Sequence, residues 1–164
     1  MPDDSEIEDS FWDSLRRDRT IMIRVTGLEG DEPRPMTALI DGDANSGPLW
    51  IFSATDASLV HACTTANTAV EAVFVSKRHA LWATFGGHLS ISNDRAMIEK
   101  MWNPYVAAWY EDGKDDPKLV LMKLEPTDAK IWLDETTFMT GMKLALGMDP
   151  KQSYGDKVAE VTLR

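Results

Sequence analysis

The chain has 164 residues, a formal net charge of -10 and 43% hydrophobic residues. That length suits one domain with a single substantial core, and that apolar content excludes a disordered chain. The acidic balance excludes a non-specific nucleic-acid binder, which needs Lys and Arg against phosphates, and disfavours attachment to an anionic membrane.

The lone cysteine, Cys63, excludes an intramolecular disulfide. No apolar run reaches the roughly 20 residues a membrane helix needs. The opening Met1-Pro2-Asp3-Asp4 is the opposite of a basic signal segment, so a cytoplasmic setting is expected. One domain over residues 1–164 is expected, with 1–5 disordered and 148–164 as a C-terminal extension.

In chain order, Glu6 to Asp18 predicts a helix capped by Ser5, with Ile7, Phe11, Trp12 and Leu15 on one face. Thr20 to Thr26 alternates as a strand, Gly27 to Pro33 is a polar turn, and Arg34 to Ile40 and Pro48 to Ala54 are further strands. A short helix over Ala57 to Thr65 has Thr55 or Asp56 as its cap. Val70 to Ser76 and Ala80 to Ile91 form an antiparallel pair around Lys77-Arg78-His79. Gly86-Gly87 falls inside the second of them, as a bulge or barrel corner requires.

Ser92 or Asn93 caps a helix over Asp94 to Trp102, and Pro104 interrupts or restarts it. Lys118 to Leu124 and Lys130 to Leu133 are strands, Phe138 to Leu146 is a helix stopped by Gly147, and Val158 to Leu163 is a last strand. This order lacks the regular β-α-β alternation of a doubly wound sheet. It suits a small antiparallel barrel with helices at its ends: mainly β with flanking helices, an α+β arrangement.

The three histidines, His61, His79 and His88, make no pair at metal-ligand spacing, and no Gly-x-Ser-x-Gly or Gly-x-Gly-x-x-Gly stretch occurs. No catalytic residue is assigned and no metal is expected. The chain then takes its reactivity from an organic cofactor or has none. Arg34, at the start of a strand, offers a planar fork for phosphate, against the plainer reading of a solvated arginine. Thr37 and Ser53 can bond a ring's polar edge or be ordinary strand residues. Ser58 can meet an anion at a helix start or simply cap it. Lys77, Arg78 and His79 form the one basic knot, by default a solvated turn. Trp102, Trp109 and Tyr110 gather at a helix break, where aromatics wall a flat ligand, a subunit interface or the core. Trp82, beside small residues on a strand, reads as core.

Phe11-Trp12-Asp13, Arg34-Pro35-Met36, Leu49-Trp50-Ile51-Phe52-Ser53, Trp102-Asn103-Pro104 and Asp115-Asp116-Pro117-Lys118-Leu119-Val120-Leu121 occur in order. This set resembles the general stress protein branch of the pyridoxamine 5′-phosphate oxidase-like flavin-binding split barrels, from about Glu6 to Leu146. The resemblance implies a six-stranded antiparallel split β-barrel. It further implies a homodimer with flavin mononucleotide (FMN), or alternatively the dinucleotide FAD, in clefts at the dimer interface.

By position, the resemblance sets Arg34 against the flavin phosphate, with Pro35, Met36 and Thr37 lining the ring. It sets Phe52 and Ser53 along the ring's other edge, Ser58 near the phosphate, and Trp102 reaching the ring from the second subunit. Relatives carry a lysine where this chain has Leu59, so Lys77 or Arg78 is the candidate replacement cation. The implied activity is a flavin-dependent oxidoreductase drawing electrons from a nicotinamide cofactor. The alternatives are a non-catalytic flavin carrier or stress-response binding module, a relative using deazaflavin or haem, and an empty cleft.

Overall fold

The structure is a computed structural model that describes residues 3–64, 66–134, 146–147 and 158–163. Its organising feature is one strand that changes partners. β1 (Thr20–Val25) pairs antiparallel with β2 (Arg34–Thr37), and β3 (Leu39–Ile40) pairs with β4 (Leu49–Ala54). Only Ala38 separates β2 from β3, and its N–H turns aside to the Arg19 carbonyl at 2.7 Å. The strand expected over Arg34 to Ile40 is therefore split in two.

From β1 the sheet continues through β5 (Thr68–Val75), β6 (Leu81–Ile91) and β7 (Leu119–Leu133) to β4, every pairing antiparallel. Since β2 and β3 lie at opposite ends of this order yet are continuous in the chain, they close the sheet. With β2 and β3 counted as one, six strands make the barrel that the resemblance implies.

Two strands were expected where β7 runs unbroken for 15 residues. Pro126 lies within it, although proline cannot donate to a ladder. It is tolerated because it faces Gly87 at the register shift between Phe85 and Gly87. A Cβ on Gly87 would lie 2.7 Å from a Leu124 methyl and 2.8 Å from the Glu125 carbonyl oxygen, so the bulge needs glycine here. The first part of β7 pairs with β4. Beyond the bulge, Asp128 to Trp132 pair with β8 (Val158–Thr162).

Period-2 alternation fills the barrel. Ile21, Ile23, Val70, Ala72, Phe74, Leu81, Ala83, Phe85 and Leu89 point into one core. Helix α1 (Asp4–Asp18) packs into it through Ile7, Phe11, Trp12 and Leu15, and the Phe11 ring meets Trp12, Phe74 and Phe85 edge-on at 5.5–6.1 Å.

The helix caps differ from expectation by a residue or more. Asp3 caps α1 in a reciprocal box with Glu6, so Asp4 and Ser5 lie inside the helix. Helix α2 (Ser58–Ala62) has Ala57 at its cap and no side-chain bond there, so neither Thr55 nor Asp56 serves. Asp94 caps α3 (Arg95–Met101). Asn93 instead takes a left-handed φ of 49° and accepts the Leu121 N–H through its side chain at 2.8 Å. Asn103 caps α4 (Pro104–Ala107), with Pro104 in the first turn, so Pro104 restarts the helix. Of the helix expected over Phe138 to Leu146, residues 138–145 lie outside the described residues.

Candidate functional site

Seven of the nine nominated residues fall in two places, and Ser58 and Lys77 lie elsewhere. The first is β2 and the turn before it. On β2, Arg34 and Met36 are half-buried, and Met36 packs against the barrel core; Pro35 and Thr37 alternate with them and are exposed. Arg34 is paired with Asp31, three residues earlier in the polar turn. Its Nη1 donates to Asp31 Oδ2 at 3.2 Å, and its Nη2 to Asp31 Oδ1. Asp31 Oδ2 also accepts the Val25 N–H at 2.7 Å.

The side chains of this pair are only 18% (Arg34) and 8% (Asp31) exposed. The Arg34 bond, foremost, and the Val25 amide hold the Asp31 carboxyl below its ordinary range against the opposing effect of burial. A guanidinium fork and a backbone N–H thus converge on one carboxylate, the donor set that also seats a phosphate. Sequence reading missed Asp31. The available signal was an acid at three-residue spacing from Arg34, after Gly30.

The second place lies under α3 and α4, on the outer side of β3, β4 and β7. Leu39, Trp50, Ile98 and Leu121 are buried there, with Phe52, Met97, Met101 and Trp102 packed against them. Phe52 and Trp102 meet edge to face at 6.0 Å, and Trp102 lies 5.9 Å from Tyr110. The Tyr110 hydroxyl donates to the Ser53 carbonyl at 2.6 Å, and burial pushes its pKa up to about 12. Phe52, Ser53 and Trp102 are therefore brought together, and Tyr110, grouped with Trp102 from the sequence, joins them. Trp109 points away from this cluster: it is 86% exposed, and Tyr105, four residues before it, is 82% exposed.

Ser58 and Lys77 lie on two further elements. Ser58 opens the five-residue α2. Lys77 is exposed in the turn after β5, where its backbone N–H donates to Asp18. Arg34 aligns through Ile23 with Ala72, five residues before Lys77 in sequence, so about 17 Å of extended chain separates their positions along the barrel. Leu59 is 1% exposed and belongs to the barrel core. It does not face a surface anion.

The outer face of β1, β5 and β6 is the third feature, and sequence reading missed it. Met22, Val73, Val75 and Trp82 are each between 36% and 42% exposed. Met22 pairs with both Pro35 and Val73, Val75 with Trp82, and Trp82 with Trp132, so these side chains form one apolar surface beside Pro35. Trp82 was expected in the core. It lies outside because Leu81 and Ala83 take the inward positions of β6. Among the described residues, no three His, Cys, Asp or Glu side chains gather as a metal site, and no helix is long and apolar enough to cross a membrane.

A closed antiparallel barrel whose central strand divides its edge between β4 and β8 defines a split-barrel protein. The chain belongs to the family described as pyridoxamine 5′-phosphate oxidase like, whose model matches residues 6–154. A solved structure called a general stress family protein, from Xanthomonas campestris pv. campestris, is 44% identical. It covers 84% of this chain and 93% of its own, with a TM-score of 0.77. The general stress FMN/FAD binding protein of Xanthomonas citri is also 44% identical, over 81% of this chain and 92% of its own, with a TM-score of 0.76. General stress protein 26 of Bacillus subtilis (strain 168) is 38% identical over 45 residues, which is 27% of this chain and 31% of that protein.

Proposed function

We propose that this protein binds a flavin nucleotide, FMN first and FAD as the alternative, at the interface of a homodimer. The observation that carries the reading is the anion seat of Arg34 and the Val25 N–H, one residue from the exposed apolar face at Pro35. The seat suits a phosphate, and the face suits a flat ring or a second subunit. The 44% identical relative described as FMN/FAD binding supports the same cofactor class.

In this reading Arg34 holds the flavin phosphate, while Pro35, Met36 and Thr37 border the ring. Phe52, Ser53 and Trp102 stiffen the neighbouring wall. Ser58, at the start of α2, is a further candidate for the phosphate, and Lys77, about five strand residues along the barrel from Arg34, serves if a longer ligand or the second subunit reaches it. A bound flavin supplies two-electron redox chemistry, and the electron source is a reduced nicotinamide. The protein's own part is to hold the phosphate and keep water from the ring.

A non-catalytic flavin carrier is the second reading. What favours it is that Asp31, the carboxyl at the Arg34 seat, is held below its ordinary range chiefly by Arg34 and is engaged as an ion-pair partner rather than as a general acid. Anaerobic mixing of the flavin-loaded protein with a reduced nicotinamide separates the two. Bleaching of the flavin band, with turnover once an acceptor is added, supports the oxidoreductase; a band unchanged over minutes supports the carrier.

A further inference from the structure

We infer that Asp31 is a built-in plug of the Arg34 anion seat, which a flavin phosphate must displace, and that it thereby sets how strongly the chain prefers phosphorylated flavins. This inference rests on the flavin-binding reading above.

Three observations converge on it. The Asp31 carboxylate takes both ends of the Arg34 fork and the Val25 N–H, so it already fills the donor set that would hold a ligand phosphate. The pair is largely shielded from water, and Arg34 Nη1 also faces the Ile23 carbonyl at 3.5 Å, so a phosphate reaching the same Nη atoms meets the Asp31 carboxylate there. Asp31 also sits on an exposed turn with a hinge-like backbone: Gly27 and Gly30 have φ of 78° and 79°, and no atom lies within 4 Å of where their Cβ would be. The turn can carry Asp31 outward without breaking a packed contact at either glycine. Its neighbours Glu29 and Glu32 are exposed acids, so a phosphate dianion in the seat repels the displaced turn and keeps it open.

The exchange replaces one carboxylate by one phosphate on the same donors, so the net gain from the phosphate is small in the native chain. FMN should then bind only modestly tighter than riboflavin, which has the ring and lacks the phosphate. Replacing Asp31 by Asn keeps an acceptor for the Val25 N–H and removes the charge that holds the fork.

The test is a pair of fluorescence titrations, FMN and riboflavin, on the native chain and on Asp31→Asn. The inference predicts that the FMN-to-riboflavin affinity ratio rises roughly ten-fold or more in the variant, the size of one charge-assisted contact, with riboflavin affinity unchanged. An unchanged ratio makes the pair a fixed lock of the turn and overturns the inference. A fallen ratio makes Asp31 a positioning residue for Arg34 and overturns it too. If neither flavin binds either protein, the flavin reading itself falls and takes the inference with it.

A second measurement needs no variant and covers the case in which Asp31→Asn does not fold. In the native chain the Val25 amide resonance should shift on saturation with FMN and stay in place with riboflavin. Equal behaviour with both ligands contradicts the plug.

Discussion

The Tyr110 hydroxyl donates to the carbonyl oxygen of Ser53 at 2.6 Å, tying the turn after α4 to strand β4. The bond is buried, and the Tyr110 ring packs on Trp102, which in turn packs on Phe52. One hydrogen bond thus orients the aromatic wall under α3 and α4. Tyr110→Phe removes the donor, while the Ser53 carbonyl keeps its place opposite Val120 in the β4–β7 ladder. Thermal or urea unfolding should show a loss of about 0.5–1.5 kcal/mol, the net worth of one hydrogen bond. A variant as stable as the native chain would mean the wall is held by packing alone.

Asp31 makes the fold's stability depend on acid. Its folded pKa is lowered from 3.8, chiefly by Arg34. A carboxyl with a depressed folded pKa contributes stability that is complete above the ordinary value. That contribution is lost as pH falls through the depressed one. Asp31→Asn should therefore destabilise by about 1.5–3 kcal/mol at pH 7. The difference between native and variant should shrink as the pH is lowered below 3.8, measured by urea unfolding at each pH. A difference that stays constant to pH 2.5 would contradict the ion pair.

Leu59 stands where the resemblance implies a lysine, and it lies in the barrel core. Leu59→Lys should not tighten FMN. A buried ammonium without a partner should instead cost at least about 3 kcal/mol, read as a fall in Tm. A stable variant with improved FMN affinity would show that the position reaches the phosphate after all.

The apolar outer face gives the homodimer its test. Val73→Arg adds a charge where the side chain is exposed in the single chain, so the isolated fold should lose no more than about 0.5 kcal/mol. Sedimentation velocity should show a native dimer and a variant monomer, since a charge buried unpaired in the interface is costly. Equal mass in both samples would place the subunit contact elsewhere.

The strands were legible because alternation is a local signal: Ile21, Ile23 and Val25 fall on every second position and face the core. The bulge was legible from Gly86-Gly87. What failed was tertiary. The strands expected over Lys118 to Leu124 and Lys130 to Leu133 are one, because Pro126 between them is accommodated opposite Gly87 across the ladder. Asp94 and Asn93 compete for one helix start, and only the Leu121 N–H, 28 residues away, decides that Asn93 is used elsewhere. Trp82 read as core because it stands beside small residues on a strand, yet Leu81 and Ala83 take the inward positions and leave it outside. At the candidate site the motif Arg34-Pro35-Met36 was visible. The Asp31 that occupies Arg34 was hidden among the acids of a turn that reads as solvated.

The most direct test is an absorbance spectrum of the purified protein followed by fluorescence titration with FMN, repeated on Arg34→Ala. The account predicts saturable quenching at micromolar or lower concentration, with the variant losing FMN affinity while keeping that for riboflavin. A colourless protein that leaves FMN fluorescence unchanged at every concentration would contradict flavin binding.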